Sequence, residues 1–295
     1  MAAKKKKMLR IVGIGVVLLG CIGGGLQYAR LQAEGIKNAL NPKYWSDRAK
    51  GEDEYIPNTA YFKRGPRDKP MVCLTLDDGP HGQCTLDELA ALKAAGAKAT
   101  FFVVGIKMKQ YPELIKQMID AGMEVGNHTE THPRLDTLTL DGAKKQIQDC
   151  EDDFEKITGR RMTLFRPPGM HENDPILKIA KDMGYHTVGW NTAAHDFMPS
   201  KKDPGVTPEM IESLKATPDQ VADRITAHVK NGSIILLHDQ PITAAALPKI
   251  LTVLKEQGYE IVTCAEAMKH IDHPIDVVAD PLLTASASLP PSKKK

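Results

Sequence analysis

Five short stretches of this 295-residue chain hold the side chains best suited to acid–base or metal chemistry. The first is Thr75-Leu76-Asp77-Asp78-Gly79-Pro80, whose Asp-Asp-Gly-Pro also reads as a capped turn. Adjacent carboxylates at the end of a strand point in different directions, so one can bind a metal while the other takes a proton. The second is Asn127-His128-Thr129-Glu130-Thr131-His132-Pro133. Its two histidines are four apart, and a helical turn there would put both rings on one face, as a divalent metal needs; Pro133 would end that turn at once. The third, Arg166-Pro167-Pro168-Gly169, is a stiff loop carrying one cation. The fourth runs from Trp190 to Asp196, and the fifth is Leu236-Leu237-His238-Asp239, where His238 closes an apolar run.

Taken singly, four have plain explanations (a turn, a pair of surface histidines, a stiff loop with one cation, a core histidine), and Asp196 alone says little. Taken together they make a reactive set. One carboxylate and two histidines form a three-ligand metal site with positions left for water and substrate. A second carboxylate, an arginine and a further histidine supply base, orienting cation and acid.

The elements that must position these residues are also legible. Apolar runs occur at 71–76, 100–104, 123–126, 163–165, 186–190, 233–237 and 260–263. Helical patterns lie between most of them. Thr85-Leu-Asp-Glu88 and Thr217-Pro-Asp-Gln220 read as capping boxes, the second with Pro218 at the first helical position. Leu140, Ala143, Ile147, Cys150, Phe154 and Ile157 step by three and four and stop at Gly159, which predicts one amphipathic helix. Seven runs alternating with helices indicate parallel βα units, and so many units favour barrel-like closure over an open sheet. In such folds chemistry gathers where strands end and loops begin. The domain read this way spans 70–271.

The ends have a different character. Lys4, Lys5, Lys6, Lys7 and Arg10 precede sixteen apolar or small residues, 11–26. As a helix that segment is ~24 Å long, short for a ~30 Å bilayer core. It has the charged and apolar regions of an export signal or signal anchor, and it sits beside cations as the positive-inside rule expects. Leu18-Leu19-Gly20-Cys21 also resembles a lipoprotein cleavage site. Retained, cut or lipidated at Cys21, the segment puts the domain outside the cytoplasm, periplasmic or secreted; retention would add membrane association through 11–26. Residues 27–69 read as a linker and 272–295 as a disordered tail. Net charge is +2, and setting aside the cations at the two ends leaves the rest mildly acidic, which speaks against nucleic acid as a partner. Aromatics are 5%, too few for broad stacking platforms. The five cysteines show no CxxC spacing and do not make a disulfide scaffold.

The ordered set Thr-Leu-Asp-Asp-Gly-Pro, His-Thr-Glu-Thr-His-Pro, Arg-Pro-Pro-Gly, Trp-(x5)-Asp and Leu-Leu-His resembles the five motifs of the polysaccharide deacetylases. These are carbohydrate esterase family four, the NodB-homology domain. The resemblance covers about residues 70–270. It implies an α/β fold, a distorted (β/α) barrel, and a Zn²⁺-dependent N-deacetylase acting on N-acetylated sugar polymers, with Co²⁺ or another divalent ion as an alternative metal. By motif position, Asp77 is the expected general base, and Asp78, His128 and His132 are the expected metal ligands. Arg166 would orient Asp77, and Asp196 would pair with His238, the general acid. Gly169 would offer a backbone N–H to the oxyanion, with Pro168 and Trp190 beside the substrate. Two departures stand out. Gly169 replaces an aromatic common after Arg-x-Pro, and Ala193-Ala194-His195-Asp196-Phe197 replaces a more usual Asp-x-x-Asp-Trp. Both point to altered subsite shape. The stretch after Phe197 is long, and around Pro208-Glu209 it could form an extra rim helix or a plain surface insertion.

The expected activity is therefore hydrolytic removal of N-acetyl groups from a glycan polymer, peptidoglycan first. Two rivals remain. A non-catalytic glycan-binding protein on this fold would lack one of the five acid, base or ligand residues, and none is absent. A small-molecule amide or imide hydrolase would fit poorly with an export segment.

Overall fold

The structure, a computed structural model, describes residues 55–56, 60–171, 173–196 and 215–271. The expected leader, most of the linker, Phe197, the Pro208-Glu209 segment and the tail from 272 lie outside the described residues.

In chain order the elements are β1 (Tyr55–Ile56), β2 (Tyr61–Phe62), β3 (Met71–Gly79), α1 (Gln83–Ala95), β4 (Thr100–Val103), α2 (Gly105–Gln110), α3 (Pro112–Asp120) and β5 (Glu124–Asn127). They continue with α4 (Leu140–Thr158), β6 (Leu164–Phe165), α5 (Asp174–Asp182), β7 (His186–Val188), β8 (Thr192–Ala193) and α6 (Pro218–Thr226). The last four are β9 (Ile234–His238), α7 (Pro241–Glu256), β10 (Glu260–Val262) and α8 (Cys264–Met268). The strands form one sheet in the order β1-β2-β7-β6-β5-β4-β3-β9-β8. Every pairing is parallel except β1 with β2. On one flank of β3, β10 pairs its first three residues and β4 its end. The sheet curls into a half-barrel, and among the described residues no ladder joins β8 back to β1.

Strand β3 shows why the site lies where it does. Its residues alternate across the sheet, as a period of two requires. Val72, Leu74 and Leu76 pack outward under the helices, whereas Met71 and Cys73 join an inner cluster with Phe62, Phe102, Leu164, Val188 and Trp190. Thr75 and Asp77 continue that inner row and are buried. A carboxylate is therefore carried to the top of the barrel interior by the same alternation that builds the core.

All seven expected runs are strands, and α4 begins at the Thr139 cap and ends at Gly159 with φ 69°. The capping box at Thr217 and Gln220 is present. Two expectations are corrected. The packed body starts ahead of residue 70: Ala60, Tyr61 and Phe62 are buried, and β2 pairs with β7. A two-residue strand has no period to read, and its partner is more than a hundred residues away. Thr85 does not cap a helix either, because α1 starts earlier, at Gln83. Its hydroxyl accepts the His81 N–H at 2.8 Å and donates to Asp239 Oδ2 at 2.5 Å. No helix among the described residues is long and apolar enough to cross a membrane.

Candidate active site

The site occupies the carboxyl ends of β3, β5, β6 and β9 and the loop after β8. Asp77 and Asp78 stand at the tip of β3, where the pairing with β4 slips between Asp77 and Gly79. Asp78 takes φ 72° at this bulge. Without the bulge, strand alternation would send the two carboxylates to opposite faces; the bulge re-aims Asp78. Both then approach one ring: Asp78 Oδ1 lies 3.4 Å and Asp77 Oδ2 3.8 Å from His128 Nε2.

His128 directly follows β5, and its Nδ1 lies 2.7 Å from the backbone carbonyl of Arg166. A carbonyl only accepts, so Nδ1 carries the proton and Nε2 turns a lone pair toward the carboxylates. His132 Nε2 is 3.0 Å from Asp78 Oδ1. The stretch 128–133 is not helical, so the rings do not meet by way of a helical turn. Thr129 at φ 71° and His132 at φ 60° fold it into a tight loop, and Pro133 and the strand end leave no length for a turn of helix. The rings meet edge to face, centroids 5.0 Å apart.

Asp78, His128 and His132 are the group of potential ligand atoms that gathers within 4.8 Å among the described residues. They fit a divalent cation. Asp78 Oδ1 is buried and makes no hydrogen bond, and lone pairs of a carboxylate and an imidazole aim at the same space. Burial would raise the Asp78 carboxyl, but the His132 and His128 imidazoles hold it well below its usual range. Two of the three ligand-bearing positions, Asp78 and His132, stand on left-handed backbone, and Thr129 between the histidines is a third such residue; strain of this kind is kept where a function over-determines it.

Arg166, 1% exposed, is fixed from all sides. Its Nη1 donates to Asp77 Oδ1 and to Thr75 Oγ1, both at 2.7 Å. Its Nε and Nη2 donate to the carbonyls of Val188 and Gly189, at 3.0 and 2.9 Å. The guanidinium lies 4.2 Å over the Phe102 ring. Oδ1 of Asp77 is thereby held and Oδ2 is turned to the site.

His238 is the in-register partner of Asp77 on the adjacent strand. Its Nδ1 and Asp196 Oδ1 are 2.8 Å apart, and its backbone N–H donates to Asp196 Oδ2 at 2.8 Å. Thr243 Oγ1 donates to the same Oδ2 at 2.6 Å, and Gln240 donates to the Asp196 carbonyl at 2.7 Å. Burial would lower His238, but the Asp196 carboxylate raises it to about 9. Burial likewise works against the Asp196 charge, and His238 nonetheless draws its pKa below the ordinary value.

Pro168 and Gly169 lie in a single 3-10 turn (168–170) just after Arg166, Pro168 buried and Gly169 at φ 59°. Trp190 is 5% exposed in the inner cluster with Phe62, Met170 and Leu177, so the surface it can offer a sugar is small. Four residues that support the site carried no motif signal: Thr243, Gln240, Lys107 and His81. Their roles come from contacts across elements, which no local pattern encodes.

The polysaccharide deacetylase family profile matches residues 64–188. A peptidoglycan-N-acetylglucosamine deacetylase of Bacillus cereus is 35% identical over 209 residues, 70% of this chain and 91% of the relative. The peptidoglycan-N-acetylmuramic acid deacetylase PdaC of Bacillus subtilis is 35% identical over 66% of this chain, which spans 38% of that longer relative. Among solved structures, a Bacillus anthracis protein described as a carbohydrate esterase family four pseudoenzyme superposes with a TM-score of 0.62 at 31% identity, covering 70% of this chain and 68% of its own.

Proposed function

The chain belongs to the polysaccharide deacetylase family, and from that premise we propose that it is a zinc-dependent hydrolase removing N-acetyl groups from the amino sugars of peptidoglycan. The observation that carries this reading is the pairing, on neighbouring strands, of Asp77 held by Arg166 with His238 held by Asp196, beside a three-ligand metal site. Relatives named for two different peptidoglycan sugars support the polymer. The export-type segment at 11–26 supports a site of action outside the cytoplasm, with the domain tethered to the membrane.

In this mechanism Asp78, His128 and His132 hold the ion, which when bound supplies Lewis acidity toward a water and the acetamide carbonyl. Asp77 Oδ2 takes a proton from the attacking water, because Arg166 occupies Oδ1 and fixes the carboxylate plane. His238 is an imidazolium at neutral pH, with Nδ1 committed to Asp196, so Nε2 carries the proton to the departing amine. An amine leaves poorly until protonated, which makes an acid on the far side of the reacting carbon a chemical need. The N–H of Gly169 is the backbone donor assigned to the oxyanion, and Pro168 and Trp190 border the sugar.

The test is acetate release from N-acetylated peptidoglycan by the full-length protein with Zn²⁺, against the same polymer already de-N-acetylated. Asp77→Asn should bind zinc and glycan yet lose ~10²–10⁴-fold in turnover. Glycan binding without acetate release by the parent protein would replace this reading with that of a binding protein.

A further inference from the structure

Behind the metal ligands lies a ring of hydrogen bonds that the reaction as derived does not use. Lys107, on α2, donates from Nζ to the backbone carbonyl of Asp78 at 2.7 Å and lies 2.6 Å from His81 Nε2. His81 Nδ1 lies 2.5 Å from the backbone carbonyl of Asp239, the residue after His238. An ammonium only donates and a carbonyl only accepts, so the two ends fix the ring between them: neutral, protonated at Nδ1, accepting at Nε2. The backbone closes the circuit. Asp239 N–H donates to the Asp77 carbonyl at 2.8 Å, and Val104 N–H to the Gly79 carbonyl at 2.9 Å. Thr85 ties the His81 N–H to Asp239 Oδ2. The two strand tips meet closely enough that a β-carbon on Gly79 would fall 2.3 Å from Asp239 Oδ2.

We propose that Lys107 and His81 form a clasp bracing the tip of β3 against the tip of β9, so that they are positioning residues that hold Asp77 and His238 at the spacing the ladder gives them. The assignment rests on the base and acid roles argued above. The clasp grips only backbone carbonyls on the two tips. It therefore governs where the carboxylate and imidazole stand without touching either side chain. The β3–β9 ladder sets the register of Asp77 against His238, and the clasp braces the tips just past its last backbone bond, at Asp78 and Asp239. Displacement of reacting groups by about 1 Å can cost 10²-fold in rate, so loss of the clasp should appear in turnover.

The experiment compares full-length Lys107→Met, His81→Leu, the double variant and the conservative His81→Gln. Methionine keeps the length of lysine without a donor, and glutamine can both donate and accept. Each single variant should lower kcat about 10- to 100-fold with KM within about two-fold and zinc affinity within about three-fold. The double variant should be no worse than the poorer single one, since one broken link opens the clasp, and His81→Gln should recover part of the loss. Deuterium exchange of the 76–82 and 236–241 peptides should accelerate together in both single variants. A raised KM with unchanged kcat in Lys107→Met would make the lysine a substrate contact and overturn the clasp, as would additive losses or exchange that changes at one tip alone. If the parent releases no acetate while exchange at both tips still rises together, the clasp stands and the deacetylase reading falls.

Discussion

On the β3–β5 side of the site, Asp78, Thr129 and His132 stand on left-handed backbone, and Asp78 Oδ1 is buried without a hydrogen bond. On the β8–β9 side, both Asp196 carboxylate oxygens accept hydrogen bonds, from His238, its backbone N–H and Thr243. The first side spends conformational energy to bring a carboxylate and two imidazoles together, an arrangement suited to a divalent cation. The second is complete within the chain, because its charge pair neutralises itself. The difference teaches that, on the proposed reading, one half of the site is shaped for a group the chain would have to acquire, while the other is finished by folding alone.

The largest effect expected from this contrast is on the metal side. Chelation of the full-length protein should bring acetate release to background, and a divalent ion should restore it. His128→Ala, which removes one of three protein ligands, should lose stoichiometric zinc in a mass-spectrometric metal count, whereas Asp196→Asn should keep it. Zinc should also raise the thermal midpoint of the parent, since it binds only the folded site, and should leave that of His128→Ala nearly unmoved. Tight zinc in His128→Ala would break the comparison at its root.

A smaller effect, about 10²-fold in turnover, is expected from Asp196→Asn, and its signature is pH. His238 is raised to about 9 by Asp196, against an ordinary value of ~6.5. A raised histidine stabilises the fold fully below ~6.5 and loses that contribution as pH climbs toward 9. The lowered Asp196 adds stability above its ordinary ~3.9 and loses it in acid. Turnover in the parent should therefore fall on an alkaline limb at or below about 9, because a bound dication offsets the upward pull of Asp78 and Asp77 on His238. In Asp196→Asn the limb should move to lower pH. A limb that stays in place would assign it to another group.

Sequence reading and structure part company along the same line. The acid half was legible through the family resemblance, which paired Asp196 with His238 at the end of its apolar run. So were the seven long runs and α4, because burial on one face repeats with a period. The metal half was legible in its residue types but not in its geometry. A helical turn was one way for His128 and His132 to share a face, with Pro133 against it, and they converge instead through left-handed Thr129 and His132. Asp77 and Asp78 were expected to point different ways at the strand end, and a bulge sets the direction of Asp78. Backbone departures of this kind follow from tertiary packing and leave no period. Nor do β2 and β8, two residues each, whose only signal is the partner strand. The spacing of chemistry in a sequence thus tells which groups meet before it tells how.

The smallest effect tests whether the acid half owes its completeness to hydrogen bonds or to charge alone. Thr243→Val keeps the side chain's shape and deletes the 2.6 Å donor to Asp196 Oδ2. That oxygen keeps the His238 backbone N–H, so the carboxylate remains ionised but less well held. A hydrogen bond to a charged group contributes ~1.5–3 kcal/mol, and with one donor retained the loss in urea unfolding at pH 7 should sit near the lower end. Weaker anchoring lets Asp196 drift from the ring and lowers His238 modestly, so the alkaline limb should shift in the same direction as in Asp196→Asn but less. Zinc content should not change. Unaltered stability together with an unmoved limb would mean that the ion pair alone holds the acid, and that the threonine is packing for α7 rather than part of the site.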